Sequence, residues 1–249
     1  MDAALPPETV DPDVALAALK ESLRDCRLCG LCDGRTQVVF GVGSARAELL
    51  FVGEGPGFHE DRQGEPFVGQ AGKLLTTLLG QIGLTRDQVY IANVVKCRPP
   101  ENRDPTPAEI EACSPHLLQQ ISIIRPKVIC TLGRFATRLL TGTELSMTAV
   151  HGRAKPLELG GVETIVFPVF HPAAALYAPA NRVVLEEDFA KLRRLLDRGR
   201  EALCGGDGSE IEAATVEAET EASAPEAPAA VRAERRTPPA DLQEQLPLW

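Results

Sequence analysis

Apolar positions along the chain fall into two patterns. One is short and nearly unbroken. Residues 48–52, 88–92, 127–132 and 164–170 each carry a run of aliphatic or aromatic side chains, which predicts strands buried on both faces. The other recurs every three or four residues. Leu16, Leu19 and Leu23 fall on one face of a helix predicted over 11–25, and further helices are predicted over 69–82, 107–124, 133–140 and 184–203. Strand alternating with helix predicts an α/β architecture with a mostly parallel sheet covered on both sides. Ligands of such sheets sit beyond the carboxyl ends of the strands. The loop after Val52, Asn93 and His171 therefore belong to one rim, because each ends a strand.

That loop reads GEGPGFHEDRQGEPFVG, residues 53–69. Gly53, Gly55 and Gly57 let backbone approach a ligand closely, and Pro56 stiffens the turn. Phe67 stands in a polar loop and offers a π-face to a flat ring. Gly69, Gln70, Gly72 and Lys73 open a helix whose free N–H groups can hold a phosphate. No Gly-Lys-Ser/Thr follows a four-residue gap, so this is not a nucleotide P-loop. The Asn93 amide carries a donor and an acceptor side by side, matching the edge of a pyrimidine. A neutral imidazole at His171 can donate to a carbonyl oxygen.

Composition and charge sharpen this picture. The chain has 249 residues, 44% of them hydrophobic and 4% aromatic, so aliphatic side chains must build the core. No run of 18 apolar residues predicts a membrane span. The first residues, MDAALPPETVDPD, lack the basic start and apolar stretch of a signal peptide, which predicts a cytoplasmic protein. The net charge of −9 is uneven: residues 1–204 hold 23 basic against 25 acidic side chains, and residues 205–249 hold 3 against 10. A near-neutral body can bind a phosphate backbone locally without a strong nonspecific field. From Gly205 the chain is rich in Ala, Glu, Pro and Ser and predicts a disordered linker through residue 244.

Seven cysteines remain to be explained. A disulfide framework does not suit a cytoplasmic chain, and clustered thiols there point to metal. Cys26, Cys29, Cys97 and Cys113 make a four-thiolate set suited either to tetrahedral zinc or to an iron–sulfur cluster, and spacing does not separate the two. Cys130, inside a predicted strand, reads as a core residue.

Taken together, GEGPGFHEDRQGEPFVGQAGKLL, NVVKCRPPENRDP, FHPAAAL and CRLCGLCDGRTQVVFG resemble the family 4 uracil-DNA glycosylases, the iron–sulfur branch of their superfamily. The likeness spans roughly residues 20–200. It implies a three-layer α/β/α sandwich on a four-stranded, mostly parallel sheet, occupying residues 20–204 after a leader at 1–19. It implies a [4Fe–4S] cluster on Cys26, Cys29, Cys97 and Cys113, with zinc as the alternative. Phe67 would stack on a flipped uracil, Asn93 would read its edge, His171 would bond its O2, and Gly53 and Gly55 would bring backbone around the base. Pro172, Ala173, Ala174 and Leu176 would form a loop that wedges into the duplex, with Gly133 and Arg134 beside Gly69, Gln70, Gly72 and Lys73 along the DNA.

The resemblance further implies hydrolysis of the deoxyuridine N-glycosidic bond in single- or double-stranded DNA by a monomeric, nucleoid-associated enzyme. Better-known relatives place an aspartate where this chain has Gly55, so the acid that orients water must be Glu60, Glu54 or Asp61. Glu60 is the expectation, with Glu54 holding the loop through backbone hydrogen bonds. Two competing classes are a covalent or noncatalytic uracil-DNA-binding protein and an iron–sulfur accessory module of replication. The final Gln245-Leu246-Pro-Leu248-Trp249 resembles the short peptide with which bacterial proteins dock on the sliding clamp.

Overall fold

The computed structural model describes residues 10–204. The leader up to residue 9, the acidic linker 205–244 and the clamp-like residues Gln245, Leu246, Leu248 and Trp249 lie outside the described residues. Six strands form one sheet: β1 (Val42–Gly43), β2 (Leu49–Gly53), β3 (Tyr90–Asn93), β4 (Val128–Leu132), β5 (Lys155–Leu159) and β6 (Val162–Val169). Their order is β1-β3-β2-β4-β6-β5. The central four are the expected parallel strands. Each edge adds an antiparallel strand that the hydrophobic pattern did not predict. β1 has only two residues. β5 is largely exposed and returns through Gly160 and Gly161, both at positive φ, the backbone of a tight hairpin.

Among the described residues eight α-helices accompany the sheet: α1 (Pro12–Ser22), α2 (Phe58–Gln63), α3 (Gln70–Gln81), α4 (Pro107–Ile124), α5 (Arg134–Thr141), α6 (Met147–Val150), α7 (Pro172–Tyr177) and α8 (Pro179–Cys204). β2, β3 and β4 are buried at every position. Successive strand side chains point to opposite faces, and this divides the core in two. Leu50, Val52 and Ile129 pack with Leu16, Leu117, Ile121 and Ala136 of α1, α4 and α5. Leu49, Phe51, Val128 and Cys130 pack with Leu75, Leu78, Leu185 and Phe189 of α3 and α8. Phe51 and Phe189 stack at 5.8 Å and 14°. Each fully buried side chain of this size contributes about 1.5–3 kcal/mol, so both faces of the sheet hold it between two helical layers. Among the described residues no helix is long and apolar enough to cross a membrane.

α4 shows why its bounds match the expectation. Thr106 and Glu109 form a reciprocal capping box, Pro107 sits at the first helical position, and Arg125 ends the helix in the left-handed region. Elsewhere the structure corrects the reading. Residues 172–176, expected as a wedging loop, lie in the helix α7, with His171 as N-cap. α8 begins five residues before its predicted start. The loop after β2 contains α2, too short to show a helical period.

Candidate active site

Because β2, β3, β4 and β6 are parallel, their carboxyl ends share one edge. Gly53 of β2 pairs with Asn93 of β3. The pairing runs on into the loop, where Val94 N and Val95 N donate to Gly53 O and Glu54 O at 2.9 and 3.0 Å. His171 follows β6 and lies over Gly133 at the end of β4, where a Cβ would come within 3.0 Å of the His171 Cβ. Between these tips opens a cleft of about 370 Å³ lined by Glu54, Gly55, Glu60, Phe67, Asn93 and His171 among others, within the ~300–1,000 Å³ usual for small-ligand pockets.

Each lining group is placed for a reason. Phe67 is buried at φ 55, an uncommon backbone for a large residue. It is locked from two sides. A Cβ at Gly72 would overlap the Phe67 carbonyl, and one at Gly53 would lie 2.5 Å from both Phe67 Cζ and Asn93 Oδ1. The Phe67 and His171 rings lie 5.6 Å apart at 30°. Asn93 is 2% exposed, and its Oδ1 is buried with no hydrogen-bond partner. A buried acceptor left unpaired costs about 1–3 kcal/mol, so this atom waits for a donor.

His171 Nδ1 accepts from Ala173 N at 3.1 Å, which leaves the proton of the neutral ring on Nε2. Burial pushes its pKa down to about 4 against the opposing pull of Glu60, so the ring is neutral at pH 7. Glu54 is pushed the other way. Burial and the charge of Asp104 raise it to about 7, opposed by Arg134, which pairs with Asp104 at the rim. The Glu54 carboxylate has no hydrogen-bond partner among the described residues.

Of the two glutamates in the cleft wall, Glu60 rather than Glu54 accepts the loop's backbone hydrogen bonds. Glu60 Oε1 accepts from Val68 N and Gly69 N at 2.9 and 2.8 Å, so it is Glu60 that holds the loop. Asp61 does not reach the cleft at all; both its oxygens accept from Thr36 N, at 2.9 and 3.1 Å. Gly72 and Gly133 are buried positions packed against Phe67 and His171. Pro172 is buried, whereas Gln70, Lys73, Arg134, Ala174 and Leu176 are exposed.

Missing from the expected set were Pro99, Asn102, Arg103 and Asp104, which form the facing wall. Arg103 grips Glu109 with two bonds of 2.7 and 2.9 Å. That grip, with backbone bonds from the Thr106 cap, holds the Glu109 carboxyl down at about 2. The signal for this wall was the run Pro99-Pro-Glu-Asn-Arg-Asp104 beside a predicted metal ligand.

The four cysteines singled out by sequence come together. Cys26, Cys29, Cys97 and Cys113 line one small cavity between the end of α1, the segment after β3 and α4, while Cys32 stays outside it. Arg35 Nη1 donates to Cys97 Sγ at 3.4 Å and Lys96 N to Cys113 Sγ at 3.3 Å. Among the described residues no group of three or more Cys, His, Asp or Glu side chains is already closed up around a single metal position. Lys96 is 2% exposed and has no carboxylate partner among the described residues; its Nζ donates to Asn93 O at 2.9 Å and to Gln120 Oε1 at 2.6 Å. Cys130 is fully buried in β4.

Comparison with known proteins agrees with this geometry. The family model described as the Uracil DNA glycosylase superfamily matches residues 40–196. A type-4 uracil-DNA glycosylase of Sulfurisphaera tokodaii is 53% identical over 186 residues, covering 73% of this chain and 84% of the relative. One from Archaeoglobus fulgidus is 46% identical over 193 residues, covering 76% and 97%. One from Thermotoga maritima is 48% identical over 174 residues, covering 68% and 88%.

Proposed function

This chain belongs to the uracil DNA glycosylase superfamily, and from that membership we propose how its rim releases uracil from DNA. It is a uracil-DNA glycosylase, a hydrolase that cuts the N-glycosidic bond of deoxyuridine and so opens base-excision repair. The nucleotide must leave the stack, at a cost of about a few kcal/mol that is least in single strands and mismatches. The observation that carries the reading is the buried, unpartnered Asn93 Oδ1 in a cleft shared with Phe67 and His171. Uracil presents N3–H beside O4, so one amide accepts from the first and donates to the second. Cytosine offers an acceptor and a donor in the reverse order and leaves the buried amide mispaired.

Phe67 covers a face of the base. Neutral His171 donates Nε2–H to O2, where negative charge gathers as the bond to the sugar lengthens. Donors preorganised toward such charge are the largest usual lever in catalysis, and the enclosed cleft strengthens them. The base departs as an anion, and water adds to the oxocarbenium-like C1′. Glu54, unpaired and titrating near neutrality, takes the proton of that water. Glu60 keeps Phe67 in place through the Val68–Gly69 backbone. Gln70, Lys73, Arg134, Ala174 and Leu176 face the DNA.

Cys26, Cys29, Cys97 and Cys113 bring four thiols around one cavity, a donor set that fits a [4Fe–4S] cluster, with zinc as the alternative. When bound, the cluster supplies four iron–thiolate bonds that tie α1, the segment after β3 and α4 together. Anaerobically purified protein should absorb near ~400 nm, and a colourless zinc protein would refute this assignment. The enzyme is assigned to the cytoplasm, at the nucleoid. The clamp-like peptide is assigned to docking on the sliding clamp, and removing residues 245–249 should abolish clamp pull-down. The direct test of the whole reading is release of free uracil from a labelled single-stranded oligonucleotide. Wild type should release it and His171→Ala should be slower by at least ~100-fold, as loss of an oxyanion donor costs elsewhere. Equal rates would overturn it.

A further inference from the structure

Just outside the base cleft lies a feature the proposed reaction does not use. Phe58 opens α2 immediately after Gly57, a wall of the cleft, and remains 46% exposed. Two guanidiniums lie over its ring, Arg62 Cζ at 5.4 Å and Arg98 Cζ at 5.2 Å from the centroid. Neither has a carboxylate within ion-pair distance among the described residues, whereas Arg103 and Arg134 on the same rim are each neutralised by an acid. Arg98 Nε also donates to Asn102 Oδ1 at 2.7 Å, and Asn102 itself lines the cleft. Asn102 and its neighbour Glu101 both sit at φ 55, a left-handed turn that asparagine adopts readily.

A ring attracts guanidiniums by its quadrupole but adds no negative charge. Phe58 thus gathers two positive groups and orients them, and apart from Arg98 Nε their N–H donors have no protein partner among the described residues. The two lie at most about 11 Å apart, a span that takes in one phosphate or neighbouring phosphates of a strand whose charges recur every ~3.4 Å. A second, smaller pocket adjoins the cleft, with Pro99 in the wall of both and Arg98 in its lining. We propose that Arg62 and Arg98, held on Phe58, form a clamp for the phosphodiester backbone of the DNA strand flanking the flipped nucleotide. This rests on the uracil-DNA glycosylase reading and assigns the path of the strand beside the cleft.

Salt dependence tests it. Each phosphate contact on single-stranded DNA contributes about 0.7 to the slope of log K against log salt. Affinity for a single-stranded oligonucleotide carrying a cleavage-resistant 2′-fluoro-deoxyuridine is measured by anisotropy from 50 to 200 mM salt. Arg62→Gln and Arg98→Gln should each lower the slope by about 0.7, and the double variant by about 1.4, so that its deficit against wild type shrinks about sevenfold across the range. Phe58→Leu, which keeps bulk without the quadrupole, should lower the slope as well. Arg125→Gln, an exposed arginine at the opposite edge of the sheet, should not. Unchanged slopes in the clamp variants, or an equal loss in Arg125→Gln, would overturn the clamp. Arg62 is exposed and makes no side-chain hydrogen bond, so that variant decides the matter even if Arg98→Gln folds poorly. Uracil release by wild type is measured alongside. No release from wild type defeats the glycosylase reading itself, whereas release with unaltered slopes defeats only the clamp.

Discussion

Gly53→Ala is the sharpest test of how the rim is built. Gly53 ends β2 and is absent from the positive-φ glycines, so alanine can adopt its backbone. What it cannot do is fit. The new Cβ would lie 2.5 Å from Asn93 Oδ1, 2.5 Å from Phe67 Cζ and 2.7 Å from Phe67 Cε2. Real Cβ contacts stay above 3.0 Å, so the reading amide and the stacking ring must each retreat by about 0.5 Å or share a larger shift. Misplacement of about 1 Å costs on the order of 100-fold in rate. The expected loss in kcat/KM is therefore about 10- to 100-fold, or roughly 1.4–2.8 kcal/mol of transition-state stabilisation. Overpacking adds about 1–3 kcal/mol of destabilisation, so the assay is single-turnover uracil release well below the melting temperature. Gly80→Ala serves as the control, because a Cβ there meets nothing within 4 Å. Activity of Gly53→Ala within threefold of wild type would show that Phe67 and Asn93 need not hold these positions, and the account of the cleft would fall.

Further outcomes follow from the same geometry. Glu54 acts as a base only when ionised, so the rate should rise as pH passes through about 7, and Glu54→Gln should remove that limb of the profile and most of the rate; a limb that survives the substitution assigns it to another group. His171 is neutral in the folded chain down to about 4, whereas an unfolded histidine binds a proton below its ordinary 6.5. The folded state thus loses stability as pH falls from 6.5 through 4, by up to about 3 kcal/mol; His171→Asn should flatten this part of the melting-temperature profile, and an unchanged profile would refute burial as the cause. Lys96→Met should leave the iron content measurable but weaken uracil binding, because the Asn93 carbonyl loses its ammonium; a wild-type Kd for uracil would exclude that support. Cys113→Ser should abolish the ~400 nm absorption and lower the melting temperature together, and loss of neither would remove Cys113 from the ligand set.

Much of this was legible in the sequence because burial writes itself as pattern. Strands covered on both faces must be nearly continuous in apolar residues, and β2, β4 and β6 were found that way. α4 carried its own start and stop in Thr106, Pro107 and Glu109. Elements without a buried face escaped. β5 is largely exposed, β1 is two residues long, and α2 and α7 have too few residues to repeat a turn. Among the site residues, those that end a strand were found by topology alone. The division between Glu54 and Glu60 was not, because it depends on which carboxylate the folded loop turns toward Val68 and Gly69. Spacing placed both acids near the rim, and only the path of the chain through α2 gives one the backbone donors and leaves the other unpartnered in the cleft. Gly72 and Gly133 misled for a related reason. A glycine at a helix start suits an anion site and a close packing contact equally well, and here the contacts are with Phe67 and His171.

The four-cysteine cavity and the cleft at the strand tips meet at the end of β3. Asn93 ends the strand and Cys97 follows four residues later, with Lys96 between them. A lysine taken wholly out of water is costly unless charge or hydrogen bonds compensate it. No carboxylate does so here. Its Nζ is satisfied by the Asn93 carbonyl and by Gln120, while its backbone N–H serves Cys113. Gln120 passes the support on to Phe40 O and the Tyr90 hydroxyl at 2.9 and 3.3 Å. Desolvation pulls the ammonium down toward about 8, and the Cys113 sulfur opposes it. A cluster on these cysteines would not need to touch the uracil to matter to it, because Lys96 bonds the Asn93 carbonyl through its side chain and Cys113 through its backbone N–H.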